Sequence, residues 1–227
     1  ALLLFLGLID RLITIPLALI VTKLDYINLL KKLELGVFFF CWRQSLQAEK
    51  EGLSIAQHLK HQAQSEYGHA QYFCNLEGVK LKLSACDLFE RENKKAYFWS
   101  RIDWDTLESY QVDGLSTKYL STKILFGNKS ASDFDWVNKL AFMTVLENFQ
   151  SAFYEEMSGH CKPQHHDGLT CIALEEIIHA GVLEHCLSLL TNKHQLLLLK
   201  WHLRKYLALL LMPIDLLILF IKHEQRR

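Results

Sequence analysis

Apolar residues recur at spacings of three and four along most of this chain, which is the period of an amphipathic helix and not of a strand. Only three prolines and ten glycines interrupt the 227 residues, so long segments contain no helix breaker. The pattern predicts an all-α fold, with one domain over 1–227 built around an antiparallel four-helix bundle. We expect core helices over about 26–50, 54–77, 133–158 and 169–191, a long crossover over 79–132, and additional apolar helices over about 1–22 and 194–224.

Glycines and polar residues predict where these helices begin and end. Gly52 is typical of the position after a helix C-terminus, and Ser54 is a typical cap for the helix that follows. Either Asp133 or Asp135 could cap the third core helix. The polar segment 160–168 is predicted to be a loop that joins the third and fourth core helices.

Each of the four core helices carries a carboxylate within its otherwise apolar stripe, and two of them also carry a histidine one turn later. These polar members are Glu34, Glu66 with His69, Glu147, and Glu176 with His179. Burying a single unpaired carboxylate costs several kcal/mol by order of magnitude, so four in one core require a compensating positive charge. A pair of divalent metal ions supplies that charge, each ion taking carboxylate oxygens and one imidazole nitrogen. A metal-free bundle with coincidental surface carboxylates is the alternative.

The spacing of these glutamates from the predicted turns supports one shared site. In the first hairpin, Glu34 lies before Gly52 and Glu66 lies after it. Glu34 is about one helical turn farther from this glycine than Glu66 is. In the second hairpin, taken to turn over 159–168, the two arms differ by the same amount. Both arms of the second hairpin are then shorter than those of the first by an equal length. The glutamates of each hairpin therefore reach comparable heights at a rise of roughly 1.5 Å per residue.

Two positions near these glutamates leave alternatives open. Glu175 could replace Glu176, because it forms an i, i+4 pair with His179, although the apolar stripe favours Glu176. Tyr154 lies two turns after Glu147 and is the candidate catalytic residue, either a redox or a hydrogen-bonding tyrosine; an ordinary core tyrosine is the alternative.

Other polar residues suggest weaker hypotheses. Gln62 and Gln150 could orient the metal ligands or bond to the backbone. His160, Cys161, His165 and His166 could bind a further metal such as zinc, or simply be solvated. Aromatic residues on the core helices could line a cavity for an apolar small molecule or lipid, or simply fill the core: Phe38, Phe39, Phe40, Tyr72, Phe73, Phe149 and Phe153.

Charge and cysteine content exclude several classes of protein. The formal net charge is zero, which argues against a nucleic-acid-binding surface. The six cysteines form no C-x-x-C pair, which argues against a zinc ribbon or a rubredoxin-like site. They are predicted to be reduced core residues of a cytoplasmic protein, a disulfide framework being the alternative.

Both ends of the chain are strongly apolar but interrupted. Segment 1–21 contains Pro16, near which we expect the helix to be kinked or broken, and segment 206–221 contains Pro213 and Asp215. Neither offers the roughly 20 clean apolar residues of a membrane span. We expect these helices to pack on the bundle or to form a homo-oligomer interface. Peripheral contact with a membrane is the alternative.

With these residues and spacings, the chain resembles the ferritin-like diiron-carboxylate superfamily, most closely its rubrerythrin-like branch. The second hairpin is similar in spacing to the shorter hairpins of enzymes such as the cyanobacterial aldehyde-deformylating oxygenases. The resemblance covers roughly 26–77 and 133–191. It rests on Glu34, on Lys50-Glu51-Gly52, on Glu66-Tyr67-Gly68-His69-Ala70, on Leu76-Glu77-Gly78, and on Glu147 with Glu176-Ile177-Ile178-His179.

This resemblance implies two iron ions, with manganese at one or both positions as an alternative. It implies bridging carboxylates from Glu66 and Glu176, terminal carboxylates from Glu34 and Glu147, and imidazole ligands from His69 and His179. The implied function is an oxidoreductase that activates O2 or peroxide with electrons from an unidentified donor. A ferroxidase or iron-storage protein and a non-catalytic metal-binding bundle are the alternatives. The chain lacks the four-cysteine iron domain of rubrerythrins proper, which argues against a soluble peroxidase.

Overall fold

The computed structural model of the chain describes residues 2–23, 26–78, 120–127 and 129–224, and within these ranges it contains helices and no strand. The all-α class is therefore confirmed. The predicted crossover lies outside the described residues as far as residue 119. The helices are α1 (Leu2–Val21), α2 (Tyr26–Lys50), α3 (Ile55–Leu76), α4 (Leu120–Phe126), α5 (Trp136–His160), α6 (Pro163–Leu190) and α7 (His194–Glu224), with a short 3-10 helix at Ala131–Asp133.

The helices pack as two hairpins, α2 with α3 and α5 with α6, that meet through α3 and α6. Helix α1 lies against α5, while α7 packs against α4 and α5. The apolar stripes predicted from the sequence face this core: Leu59, Leu140 and Leu169 are completely buried. The four central helices therefore surround the residues of the candidate site.

The turn between α2 and α3 agrees with the prediction at Gly52 and differs from it in part at Ser54. Gly52 has a positive φ of 71°, which a glycine adopts without strain, and it ends α2 as predicted. Ser54 occupies the N-cap position of α3 as predicted, but it has helical backbone angles and its side chain makes no capping hydrogen bond. Asp135 is the residue that caps α5, where its carboxylate accepts from the backbone N–H of Asn138 at 2.8 Å.

The predicted loop over 160–168 is wrong. Helix α5 continues to His160 and α6 begins at Pro163, so that only Cys161 and Lys162 connect them. Proline is favoured at the first helical position because its missing N–H has no helical partner there and its fixed φ suits the helix. The polar residues that follow are therefore helical.

The corrected turn also changes the comparison of the two hairpins. Glu147 precedes Cys161 by as many positions as Glu176 follows Lys162. The two arms of the second hairpin are therefore equal, and they are not both shortened by the same length relative to the first. The glutamates of the second hairpin are nevertheless level with each other, because they are equally distant from their turn.

The end helices are continuous and partly exposed. Helix α1 is not broken at Pro16, contrary to one form of the prediction. Leu12 of α1, with Leu207 and Leu210 of α7, is more than half exposed. Of the helices that the structure describes, none combines the length and hydropathy that a bilayer span requires.

The cysteines are only partly in the core. Cys41 and Cys74 are buried as predicted, whereas Cys171 is exposed. All five cysteines in the described part of the chain are free thiols, and Cys86 lies outside it.

Candidate metal centre

The six side chains predicted to bind metal come together at the centre of the four core helices. They form two overlapping groups, in each of which the potential ligand atoms lie within 4.8 Å of one another. Glu66 and Glu176 belong to both groups, and so lie where carboxylates would bridge two ions. The first group is Glu34, Glu66, His69 and Glu176; the second is Glu66, Glu147, Glu176 and His179.

The helical period explains how the sequence builds these groups. On α3 and on α6 a glutamate and a histidine three positions apart share one face, and that face is directed to the core. Helices α2 and α5 each add one glutamate opposite. All four glutamates are completely buried.

His69 faces three carboxylates through one ring nitrogen. Its Nδ1 lies 3.3 Å from Oε2 of Glu34, 3.5 Å from Oε2 of Glu66 and 3.5 Å from Oε1 of Glu176. The remaining ring nitrogen points away from the centre.

His179 takes the matching position in the second group. Its Nδ1 lies 3.1 Å from Oε2 of Glu176, 3.5 Å from Oε1 of Glu66 and 3.8 Å from Oε2 of Glu147. Both imidazoles therefore present Nδ1 to the carboxylates, as two equivalent nitrogen ligands would.

Several carboxylate oxygens at the centre lack the hydrogen bonds that burial normally requires. Both oxygens of Glu66, Oε2 of Glu147 and Oε1 of Glu176 have no hydrogen-bond partner among the described residues. Leaving such atoms unpaired is costly, so they call for another partner. A mixed set of carboxylate oxygens and imidazole nitrogens suits divalent iron or manganese, and the residues present fit a pair of such ions.

The pKa values of the carboxyl groups show how the protein balances these charges without metal. Burial raises the pKa of Glu34 to about 8 and raises that of Glu176 well above its ordinary value. Burial acts on Glu66 in the same direction, but its interactions with the two imidazoles outweigh burial and lower its pKa to about 2.

The pKa values of both imidazoles are raised, although burial alone would lower them. Burial disfavours the charged form of His69, but its contacts with carboxylates, Glu175 first, raise its pKa to about 12. Contacts with Glu147 and Glu66 likewise outweigh burial and raise the pKa of His179 to about 9. Protons on these groups therefore take the place that metal ions would fill, and metal binding would release them.

Glu175 lies outside the centre and forms a hydrogen bond with the ring nitrogen of His69 that points away from it. Its Oε2 accepts from Nε2 of His69 at 2.9 Å and from the hydroxyl of Ser65 at 2.5 Å. Such a carboxylate fixes the orientation of a ligating imidazole and leaves its other nitrogen free for the metal. The structure thus places Glu176 in the centre and Glu175 beside it. No local pattern indicates this role, because the contact joins positions that are far apart in the sequence.

Three further side chains surround the carboxylates. The hydroxyl of Tyr154 donates to Oε1 of Glu34, and burial raises the pKa of this phenol well above its ordinary value. Gln62 donates through Nε2 to Oε1 of Glu147 at 2.7 Å. Gln150 is buried, but its amide has no hydrogen-bond partner among the described residues, so neither predicted contact for it is seen.

The predicted zinc loop does not assemble. The segment is helical, and His160, Cys161, His165 and His166 do not converge on one point that could hold an ion. His165 is buried and shares a hydrogen bond with the hydroxyl of Tyr26, while Nδ1 of His166 contacts a backbone carbonyl at 2.9 Å. Within the described ranges, clusters of three or more metal-binding side chains occur only at the centre.

A pocket of about 290 Å³ lies between α3 and α6 and reaches His179. The aromatic residues that the sequence suggested for such a cavity are not among those that line it. Apolar residues of α6 form one side, polar residues of α3 form the other, and two neighbours of the centre complete it: Ile178, Val182 and Leu183; His58, His61 and Ser65; Gln62 and Glu175.

No protein-family model matches this chain, and no curated protein and no solved structure matches it. What can be inferred about its function therefore comes from the buried centre and its surroundings.

Proposed function

We propose that this chain is a diiron-carboxylate oxidoreductase with a ferritin-like four-helix bundle, which activates O2 or peroxide at the buried centre. The supporting observation is the pair of overlapping ligand groups that share Glu66 and Glu176 and leave carboxylate oxygens unpaired. When bound, two iron ions, or manganese at one or both positions, supply the redox chemistry. Glu34 and Glu147 would hold one ion each at the ends, with His69 and His179 as nitrogen ligands.

The surrounding residues hold these ligands in place. Tyr154 keeps its proton and donates to Glu34, while Gln62 fixes one oxygen of Glu147. Phe73 stacks on Tyr154, with ring centroids 6.3 Å apart, and both rings are completely buried. Exclusion of water strengthens each of these electrostatic contacts.

The pocket beside His179 suggests how a substrate reaches the centre. Its apolar side, formed by Ile178, Val182 and Leu183, suits an apolar small molecule or the chain of a lipid. The electron donor would be a separate partner.

An iron-handling function, such as a ferroxidase, is the second candidate. His58 and His61 lie on the polar side of the same pocket, and Glu175 adds a carboxylate. Imidazoles and a carboxylate along a path to the centre suit the passage of ferrous ions. The two candidates differ in stoichiometry: a ferroxidase oxidises many ferrous ions per chain, whereas an oxidoreductase stops after its resident pair unless an organic substrate and a reductant are supplied.

Metal content tests the centre directly. We compare the parent protein with Glu66→Gln/Glu176→Gln, whose side chains keep their shape, and with the control Glu49→Gln/Glu184→Gln, changed away from the centre. After anaerobic ferrous loading and desalting, the parent and the control should hold about two iron ions per chain, and the centre variant close to none. A parent protein without stoichiometric metal would overturn the proposal.

A further inference from the structure

A second pocket, of about 370 Å³, lies between the end of α4, the start of α5 and the first half of α7. Its volume falls in the range of small-molecule sites in proteins, which is roughly 300–1,000 Å³. It shares no residue with the candidate metal centre. Two aromatic rings, three cations and one carboxylate are among the described residues that line it: Phe126 and Phe134, Lys129, Lys200 and Arg204, and Asp135.

The three cations of this pocket lack the ion pairs that would neutralise them. Within the described ranges, none of Lys129, Lys200 and Arg204 forms an ion pair with a carboxylate. Lys200 and Arg204 lie one turn apart on α7, where two like charges destabilise each other. The whole chain carries no net formal charge, so this excess of positive charge is a local feature.

Arg204 is held in a fixed position and keeps most of its donors. Its guanidinium lies 5.1 Å from the ring centroid of Trp201, and its Nη1 donates to the carbonyl oxygen of Leu125 at 3.5 Å, in the last turn of α4. This one contact supports the end of α4, but a guanidinium has five N–H donors. The donors that remain can bind an anion, because the planar guanidinium matches two oxygens of one phosphate or carboxylate group.

The carboxylate on the wall is already bonded to its own helix. Asp135 caps α5, where its Oδ1 accepts from the backbone N–H of Asn138 at 2.8 Å. Both of its oxygens also accept from the side-chain amide of Asn138, at 3.0 and 3.1 Å. Asp135 therefore offsets one of the three positive charges without pairing with any cation. Two positive charges are left for a ligand to neutralise.

We propose that this pocket binds a small phosphomonoester with an aromatic group, and that the three cations bind its phosphate. A phosphomonoester carries close to two negative charges at pH 7 and has three strong acceptor oxygens, so it matches the charge that is left. The rings of Phe126 and Phe134 form the apolar part of the wall, against which the aromatic group packs. The site is independent of the metal centre.

Calorimetric titration of the full chain with phenyl phosphate tests this site, at low ionic strength, where charges are least screened. Phenyl sulfate has nearly the same shape but a single negative charge, and inorganic phosphate lacks the ring. We expect saturable 1:1 binding of phenyl phosphate and at least about tenfold weaker binding of each comparison probe. Absence of saturable phenyl phosphate binding, or equal affinity for either comparison probe, overturns the proposal.

Removing two of the cations locates the binding. Lys129→Gln/Lys200→Gln changes two exposed side chains and should weaken phenyl phosphate binding at least about tenfold, the loss of two hydrogen bonds from charged donors. Lys193→Gln, at an exposed position just before α7, is the control and should bind as the parent does. Unchanged binding in the double variant overturns the proposal.

Two further variants separate this pocket from other anion sites. Asp135→Asn removes the negative charge and keeps the cap, because asparagine caps a helix as well as aspartate, so binding should tighten several-fold. Glu66→Gln/Glu176→Gln, changed at the candidate metal centre, should bind phenyl phosphate as the parent does. Weaker binding in Asp135→Asn, or loss of binding in Glu66→Gln/Glu176→Gln, would overturn the proposal.

Discussion

The contact between Glu175 and His69 links a residue outside the candidate metal centre to one inside it. A single hydrogen bond of 2.9 Å fixes the ring and directs Nδ1 to the carboxylates. Glu175 is half exposed, and its bond to His69 lowers its pKa to about 2, so it accepts over the whole physiological range.

Replacing Glu175 with alanine should weaken metal binding without removing a ligand. Loss of a carboxylate behind a ligating histidine typically costs about 10–100-fold in affinity. We expect a stoichiometry of about two ions per chain with affinity reduced by that factor, measured by competition with a chelator. Glu184→Ala on the same helix serves as the control. A complete loss of one ion would instead identify Glu175 as a ligand.

His202 should make the stability of the protein depend on pH. Its pKa is about 4 in the folded protein, below the ordinary value of 6.5. The unfolded chain therefore binds more protons between these values, and the free energy of unfolding falls as the pH falls from 6.5 towards 4.

In His202→Gln this slope should decrease by up to about 1 kcal/mol per pH unit, measured by urea unfolding across that range. His58→Gln, at an exposed position, should leave the slope unchanged. An equal slope in His202→Gln and the parent protein would contradict the expectation.

Individual residues of the candidate metal centre were predictable for a physical reason. Glu34 and Glu147 each lie among apolar residues that are expected to be buried. A buried carboxylate needs a compensating charge, so this position in the sequence indicates a binding role. Tyr154 and Glu175 were named from their spacing to Glu147 and His179, but their contacts with Glu34 and His69 join positions far apart in the sequence and could not be predicted. Ser65 was not predicted, because it lies at the edge of the buried region.

At the level of helices, the pairing of α3 with α6 depends on a close approach at Gly168. A Cβ atom placed on this residue would lie 2.2 Å from the ring of Tyr72. A larger residue at this point of α6 would therefore displace the ring of Tyr72, so packing favours glycine here, although the sequence pattern suggested a turn.

Substituting Gly168 with alanine should destabilise the protein by about 1–3 kcal/mol, since the ring of Tyr72 must move. Gly181→Ala on the same helix is the matched control, because its Cβ would meet no described atom within 4 Å. It should stabilise by about 0.5–1 kcal/mol through helix propensity. Denaturant unfolding measures both. In a Tyr72→Ala background the cost of Gly168→Ala should disappear; if it persists, the backbone and not the ring is responsible.

Helix boundaries were harder to predict than helix faces. The buried face of a helix can be predicted because its apolar residues recur at helical spacing. Helices α3, α5 and α6 present the predicted residues to the core. The turn at Cys161 and Lys162 was missed because Gly159 and the histidines resemble a loop in composition. The position of Pro163 was the informative signal.

At the scale of the whole molecule, one side of α7 exposes a row of apolar residues through which the chain could associate. Leu196, Leu203, Leu207, Leu210 and Ile214 are all exposed and recur at spacings of seven, four, three and four. This is the spacing of a seam between two helices. We therefore expect two copies of the chain to associate through α7.

Leu207→Lys/Leu210→Lys should convert the assembly to monomers in sedimentation velocity, because two charges cannot be buried in an apolar seam. Leu189→Lys, an equally exposed position on α6, should leave it associated. A monomeric parent protein that sediments with lipid vesicles would instead assign this side to a membrane surface.

The two hairpins contribute matching side chains to the candidate centre, which gives it an approximate twofold symmetry that its surroundings break. Tyr154 contacts Glu34 and Gln62 contacts Glu147, while the contact of Glu175 is with His69 and not with His179. The exchanged pairs are Glu34 with Glu147, Glu66 with Glu176, and His69 with His179. Two positions with the same donors but different neighbours are not interchangeable, so they should fill in a defined order and could discriminate between iron and manganese.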